Sequence, residues 1–450
     1  MITGLLDIPF AARRSAWPRF IPRGTQWRTP TQLAALRRSR LSNVLTHATR
    51  TEYYAAVLRD AGVRDPRRFE PADLARLPLL HRQTIMQHGL EAFLTVPREG
   101  LIAVQTSGST GVPGRFLRSW LEETAYSARW MRVYDAYGCR PWDAQVNVAI
   151  ADKPDRKGPI KLLRNTGLMP RVVKLGSDTP PERVLEQVQA LRPPILTGYA
   201  GAIESLADHV LATNAEVPQP RAVFCTAMEV TDRCLEVAAR AFGAPAVDVY
   251  VTNEFGVIAW SCPLRPDLLH LNDDALIVEV LGPDGMPVPD GVVGELVITS
   301  LGLTAMPLVR YRMGDMAARV PGRCECGRGL ALMTRVQGRT AHVIRRPNGA
   351  PITTPLVTSL FGRVDAHDWV RQYQLREEPG HALRFLVVPR REPTESQLSN
   401  LVNSVQRGIG PDFRTTIEFV DHIPSAPGGK RQYVVPLPAA PRGEETRKAS

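Results

Sequence analysis

Several groupings of side chains in this sequence could do chemistry, and the first is Thr106-Ser107-Gly108-Ser109-Thr110-Gly111. Two glycines let the backbone turn tightly and approach a ligand closely. Backbone N–H groups and hydroxyls can then converge on one point, which suits a polyphosphate. The spacing is not that of the loop Gly-x4-Gly-Lys-Ser/Thr, because no Gly-Lys pair follows. Glycine and serine also dominate ordinary turns, so this stretch alone leaves both readings open. A second grouping is Tyr250-Val251-Thr252-Asn253-Glu254-Phe255-Gly256. It closes an apolar run with an aromatic, an amide and a carboxylate. A carboxylate at a strand end can hold Mg²⁺ bound to phosphates, although a surface acid after a strand is common.

A third grouping is Cys324-Glu325-Cys326-Gly327. Two thiolates one residue apart can both ligate one Zn²⁺, and a complete site needs two further ligands. Cys262 and His270, expected in a loop after Glu254, are the natural candidates. The alternative is that these thiols and the imidazole are unrelated. The six cysteines of a chain this long, without a secretory leader, argue against a disulfide scaffold. Two further residues stand in turns. Asp315 follows Gly314, where an aspartate is usually a turn-former, and Lys430 follows Gly428-Gly429, where a lysine is usually just solvated.

These residues need a scaffold. Leu101–Val104 reads as a buried strand leading into the Gly/Ser stretch. From Leu101 to about Leu301, strand-like runs (Val146–Ile150, Arg171–Leu175, Ile195–Thr197, Ala222–Cys225, Val247–Val251) alternate with helical ones (Leu121–Tyr137, Pro181–Leu191, Ala202–Thr213, Asp232–Phe242). Such alternation predicts a layered α/β domain with a substantial parallel sheet, and ligands beyond the carboxyl ends of its strands. Gln32–Arg59 has helical spacing. After Arg339 the texture changes to short strands (Leu383–Val388, Thr416–Phe419, Tyr433–Val435) and one helix near Glu395–Arg407, a small α+β domain. The expected division is 1–338 and 339–440, with a disordered polar tail over 441–450.

Together and in order, these segments resemble the adenylate-forming, or acyl-CoA synthetase, superfamily, and within it the phenylacetate–CoA ligase family. The resemblance runs from roughly Leu77 to Val435. It implies a large N-terminal α/β domain and a small mobile C-terminal lid. It makes Thr106, Ser107, Gly108, Ser109, Thr110 and Gly111 the ATP phosphate loop. Thr226-Ala227-Met228-Glu229 resembles the small-residue loop packed along adenine, and otherwise reads as a plain strand-to-helix turn. Tyr250 would join the adenine and acyl pocket, and Glu254 would hold Mg²⁺. Asp315, in Tyr311-Arg312-Met313-Gly314-Asp315, would accept hydrogen bonds from ribose. Gly338-Arg339 resembles the domain hinge, with Arg339 near ribose or phosphate. Lys430 would stabilise charge developing on the carboxylate and α-phosphate. Members carrying a Cys…His…Cys-x-Cys pattern imply a structural zinc on Cys262, His270, Cys324 and Cys326. Four departures stand out: Val251 for a glycine, Asn253 for a threonine, Arg115 where lysine often follows the first motif, and His342 where an acid is usual.

The function implied is ATP-dependent activation of a carboxylic acid to an acyl-adenylate, with transfer to coenzyme A. The pocket would draw on the Tyr126–Ala149 region, Tyr199, Ala227, Tyr250 and Val251, small or aromatic residues that favour an aryl or arylacetic acid. Three other readings share most motifs. They are an adenylating enzyme serving an amine or a carrier-protein thiol, adenylation of a non-carboxylate such as nitrite, and a non-catalytic zinc-stabilised binding protein. The net charge of +11 is spread over arginines without a block of like charges, so no nucleic-acid partner is expected. No apolar run is long enough for a membrane span, and a cytoplasmic location is expected.

Overall fold

The structure is a computed structural model. It describes residues 24–105, 114–140, 142–149, 171–338, 344–424 and 432–437, with 348–350, 353–355, 358–359, 362–363, 365 and 367–368 excepted. These residues fall into two compact units, the first closing at Val336 and the second opening at Gln337.

The first unit begins with α1 (Pro30–Ala48), α2 (Glu52–Asp60) and α3 (Arg82–His88). The helical spacing of Gln32–Arg59 thus covers two helices. Thr51 separates them, because its hydroxyl accepts the N–H of Tyr54 and starts a new N-terminus. A hairpin follows, β1 (Ile102–Gln105) and β2 (Arg115–Arg118), and then α4 (Trp120–Ala136). A capping box between Ser119 and Glu122 opens α4. The next elements are β3 (Gln145–Ala149), β4 (Val172–Gly176), α5 (Pro181–Leu191), β5 (Ile195–Tyr199), α6 (Ala200–Thr213), β6 (Ala222–Thr226), α7 (Asp232–Phe242) and β7 (Ala246–Thr252). Then come β8 (Gly256–Ser261), β9 (Leu268–Leu271), β10 (Leu276–Leu281), β11 (Gly294–Ser300), β12 (Tyr311–Ala317), β13 (Arg319–Val320) and β14 (Leu332–Thr334).

Nine of these strands form one sheet in the order β13-β14-β9-β8-β7-β6-β5-β3-β4. From β4 to β7 all pairs are parallel, and from β7 to β13 all are antiparallel. Val146, Val148, Leu196, Val223 and Cys225 pack under α5, α6 and α7 on one face. Ile195, Ala222, Phe224, Val247 and Val249 pack under α4 on the other. Both faces are covered, which is why these strands read as continuous apolar runs. A separate antiparallel sheet, β10-β11-β12, shares a core with α1, α2 and the connector Leu77–Leu80. The connector lies along β12: Leu80 N–H donates to the Arg310 carbonyl, and Arg312 N–H to that of Leu80.

Three expectations need correction. The stretch before the Gly/Ser loop is not a buried strand. It begins at Ile102, Ala103 is exposed, and it pairs only with β2, outside the main sheet. Outside the main sheet Ile102, Ala103 and Val104 stay half-buried or exposed, whereas Phe116, Leu117 and Arg118 of the partner strand are buried. The β/α alternation does not reach Leu301 but stops at β7, beyond which the chain is all strands and turns to Val336. His270 lies within β9 rather than in a loop, and Cys262 directly follows β8.

The second unit holds the short pair β15 (Ile344–Arg345) and β16 (Pro351–Ile352). It also holds β17 (Val370–Glu378), β18 (Ala382–Pro389), α8 (Glu395–Ile409), β19 (Arg414–Phe419) and β20 (Val434–Val435). The sheet order is β19-β18-β17-β20, with β17/β18 antiparallel and both outer pairs parallel. Trp369, Phe361, Phe385, Leu401 and Val405 are fully enclosed in its core. The strand β17 carries no clear strand signal in the sequence. Its Arg371, Gln374, Arg376 and two terminal glutamates mask the alternation that marks a strand.

Gly198 shows how closely the parallel strands are fitted. A Cβ there would lie 2.7 Å from the Val148 carbonyl oxygen and 3.1 Å from Ile203 Cδ1. Backbone cannot yield as a side chain can, so Gly198→Ala should lower stability by about 1–3 kcal/mol in equilibrium denaturation. An unchanged midpoint would contradict this packing.

Candidate functional site

The turn between β7 and β8 carries Asn253, Glu254 and Phe255. The parallel sheet ends at this turn, and the next strand must double back antiparallel. Gly256 makes the reversal with a φ of +75°, and the ring of Tyr126 fills the space where a Cβ would sit, 2.8 Å away. The Tyr126 hydroxyl donates to the Thr252 carbonyl, and Phe255 N–H donates to the Thr252 hydroxyl. Beneath the turn lies Arg118, only 1% exposed. It donates to the Glu254 carbonyl at 3.2 Å and to Glu123 at 2.9 Å, and its guanidinium stands 4.0 Å over the Tyr126 ring. Tyr126 therefore supports the turn; the sequence reading had it lining an acyl pocket. Arg118 was missed, although an arginine after Phe116-Leu117 in a short strand is the kind of residue that needs a buried partner.

The Glu254 carboxylate is 6% exposed, with an Arg82 guanidinium nitrogen 3.6 Å from Oε1. Arg82 opens α3 and is the second residue the sequence did not flag. Across from the turn, the Tyr250 hydroxyl donates to Asp315 Oδ2 at 2.7 Å. Asp315 sits within β12 and is 4% exposed. One hydrogen bond thus joins the main sheet to the separate antiparallel sheet, and it joins two residues singled out in the sequence. Asn253 is exposed at the tip of the turn and Val251 is half-buried.

Ala227 follows β6 with a φ of +63°, a left-handed backbone that a non-glycine residue holds only under constraint. The constraint is local: Met228 N–H donates to the Thr226 carbonyl, and the Thr226 hydroxyl donates to the Gly198 carbonyl. Ala227, Met228 and Glu229 are half-buried, and Tyr199 at the end of β5 is buried. Arg115 starts β2 with its side chain exposed. Thr106–Gly111, Arg339, His342 and Lys430 lie outside the described residues.

Below the turn, Asp248 of β7 is a buried acid that no sequence motif marks. Burial raises its pKa to about 7, with Arg335 pulling weakly the other way.

A second cluster lies at the far end of β8 and β9. Cys262, His270, Cys324 and Cys326 bring their ligand atoms within 4.8 Å of one another. The Cys262 and Cys324 sulfurs are 3.4 Å apart, and Cys326 Sγ is 3.2 Å from His270 Nε2. Zinc–ligand bonds of about 2.0–2.3 Å set ligand atoms roughly 3.3–3.8 Å apart around a tetrahedron, so four such ligands could close on one metal ion. Burial and the Arg328 charge lower the His270 pKa to about 4, which leaves the imidazole neutral, as a metal ligand requires. Burial pushes the Cys324 thiol up to about 12. The Cys326 thiol lies below its ordinary value: burial opposes this, but hydrogen bonds from the Arg328 backbone and side chain outweigh it.

A nine-stranded sheet that changes from parallel to antiparallel at a carboxylate-bearing turn, with a second sheet apposed through Tyr250 and Asp315, has a counterpart among solved structures. A solved structure of 2-hydroxyisobutyryl-CoA ligase in its postadenylation state superposes with a TM-score of 0.75 at 17% identity, covering 93% of this chain and 94% of that one. By sequence the chain is 26% identical over 439 residues to the phenylacetate-coenzyme A ligase of Thermus thermophilus, covering 90% of this chain and 97% of the relative. It is 25% identical over 331 residues to the Escherichia coli K12 enzyme of that name, covering 70% and 72%. No protein-family model matches the chain. The chain is similar over most of its length to phenylacetate–coenzyme A ligases, and an AMP-forming acid–CoA ligase is the enzyme type that this similarity supports. Among the described residues no helix is long and apolar enough to cross a membrane.

The Asp248 carboxyl gives a pH signature. Its folded pKa, about 7, lies above the ordinary 3.8, so between these values the folded state holds a proton that the unfolded state has released. Stability from this group is therefore full below about pH 4 and is lost as pH rises to 7. The slope is about 1.4 kcal/mol per pH unit. Asp248→Asn should remove that slope, so the variant gains on the wild type between pH 5 and 8 in paired urea titrations. Parallel curves would show that Asp248 stays ionised.

Proposed function

We propose that this chain activates an aryl or arylacetic acid with ATP and passes the acyl group to coenzyme A. The observation that carries the reading is the Tyr250–Asp315 hydrogen bond with Glu254 held in the adjoining turn. It gathers an aromatic face, a carboxylate suited to a ribose diol and a carboxylate suited to Mg²⁺ from two separate sheets.

In the first half-reaction an acid oxygen attacks the α-phosphorus, the bond to the β-phosphate breaks, and pyrophosphate leaves. In the second, the coenzyme A sulfur attacks the acyl carbon of the adenylate and AMP leaves. Neither half requires a side-chain nucleophile, so catalysis is positioning and electrostatics. Thr106, Ser107, Gly108, Ser109, Thr110 and Gly111 would hold the β- and γ-phosphates. Asp315 would accept from the ribose hydroxyls, and Ala227, Met228, Glu229 and Tyr250 would flank the adenine. Asn253 would face the phosphates with an amide in place of a hydroxyl. Glu254 would hold Mg²⁺, which offsets charge on the phosphates. Arg118 fixes the backbone of Glu254, and Arg82 balances its carboxylate. Lys430 would meet charge developing between acid and α-phosphate, with Arg339 at the hinge of the small domain.

ATP–pyrophosphate exchange over a panel of acids, followed by addition of coenzyme A, tests the reading. Exchange with arylacetic or benzoic acids and thioester formation are expected. No exchange with any acid would overturn it, and acyl transfer only to an amine or a carrier thiol would move the acceptor. Asp315→Ala should raise the KM for ATP, because a ribose contact acts in ground and transition states alike. Glu254→Ala and Lys430→Ala should lower exchange kcat, the latter by about 10²–10³ if it acts as an oxyanion-type donor. Lys430→Ala should spare thioester formation from a preformed acyl-adenylate.

We also infer that Cys262, His270, Cys324 and Cys326 bind one structural Zn²⁺. All four positions are protein ligands, so the ion would join chain segments and take no part in turnover. One zinc per chain is expected by elemental analysis. Cys324→Ala should lower stability by several kcal/mol with the KM for ATP unchanged. Zinc-free native protein with six titratable thiols would refute the assignment.

A further inference from the structure

Among the described residues, the outer strand of the small unit is open on one side. β19 pairs with β18 in an unbroken parallel register from Arg414 to Phe419, and among the described residues it is the last strand on that side of the sheet. Arg414 N–H and Val420 N–H both donate inward, to the carbonyls of His381 and Val387. In a regular strand the even-numbered residues then all point inward. Thr415, Ile417 and Phe419 turn their backbone N–H and C=O groups away from the sheet. An exposed edge of this kind is a template for another strand, and natural proteins guard it with lysine, proline or a bulge. β19 has none of these.

The side chains of β19 favour a particular occupant. Arg414, Thr416 and Glu418 share one face, and all three are exposed. Among the described residues Arg414 has no ion-pair partner, while Glu418 meets Arg384 at 3.0 Å. On the opposite face Thr415, Ile417 and Phe419 border an apolar groove of about 210 Å³ with Leu398, Val402 and Val405 of α8. Phe419 is 42% exposed there.

We propose that β19 is a self-complementary docking edge, and that its occupant is β19 of a second copy of this chain, added antiparallel about a two-fold axis at Thr416. The geometry selects this register. Centred on Thr416, the outward-pointing residues Thr415 and Ile417 of one copy face Ile417 and Thr415 of the other and exchange backbone hydrogen bonds. Thr416 then faces Thr416 of the second copy, and Arg414 faces Glu418 in both directions. These are non-hydrogen-bonded pairs, in which side chains approach most closely and opposite charges stabilise. Centring the axis on Ile417 would instead place Thr416 against Glu418 and leave both arginines unmatched. The result is an isologous contact that closes and does not propagate.

Sedimentation of the full-length chain at micromolar concentration tests this. The wild type should sediment at twice the chain mass. Arg414→Glu and Glu418→Arg should each halve that mass, because each sets like charges opposite one another, and the two changes in one chain should restore it. Thr416→Cys supplies a probe that does not disturb the charges. Its Cα–Cα separation across the axis, about 4.5 Å, lies within disulfide range. Mild copper oxidation should therefore cross-link it into dimers on a non-reducing gel, while Ser399→Cys on the exposed surface of α8 should not. A monomeric wild type, an unchanged mass in both single charge variants, or a doubly changed chain that stays monomeric would overturn the proposal. If a charge variant fails to fold by circular dichroism, Thr416→Cys decides, and cross-linking no faster than Ser399→Cys overturns it.

Discussion

The site rests on one constraint: a carboxylate and a sharp reversal must be held inside the protein at the same turn. Glu254 is almost fully enclosed, and an isolated buried charge would cost several kcal/mol. Two arginines meet the need from different elements. Arg82 approaches the carboxylate from the start of α3, and Arg118 grips the backbone from β2. Arg118 in turn is a buried cation, balanced by Glu123 and by the ring of Tyr126. The same ring fills the space that Gly256 leaves open, so glycine, tyrosine, arginine and carboxylate form one packing problem with one solution. Removing any member would leave either a cavity or an uncompensated charge.

How much of this was legible depended on the range of the interaction. Helices such as Pro181–Leu191 and Asp232–Phe242 were read from sequence with their observed bounds, because caps and apolar spacing are local signals. The parallel strands were found to within a residue or two for the same reason. The ribbon before residue 106 was misread as buried, since Leu101-Ile102-Ala103-Val104 looks alike whether covered on two faces or on fewer. The end of the β/α alternation at β7 was not legible, because the antiparallel strands that follow are as apolar as the parallel ones.

The site shows the same division. Tyr250 and Asp315 stood out by motif, but their hydrogen bond spans 65 residues and two sheets, and nothing local announces it. Arg82 and Arg118 carry no motif; they look like two more arginines in a basic chain. The four candidate metal ligands lie close together, although His270 was expected in a loop and lies on a strand. A strand is the better mount, since its neighbours fix the imidazole before any ion arrives. Asp248 was passed over because burial, not spacing, gives it its chemistry.

The loop that carries Cys324 and Cys326 also reaches the start of the described chain. Gly329 N–H donates to the Gln26 carbonyl, and Arg328 donates to the Gln26 side chain across 302 residues. Thr25 in turn donates to Asp274, which the buried Arg132 holds with paired hydrogen bonds. The segment around Thr25 therefore gathers its partners in stages, Arg132 first, then Asp274, and residues 328 and 329 last. While the ribosome is still extending the chain, Thr25 can meet Arg132 of α4 and then Asp274, but Gln26 must wait for residues 328 and 329 to emerge. Contacts of such long range are slow to form, so the segment around Gln26 should be among the last described parts to settle and the first that a protease could reach.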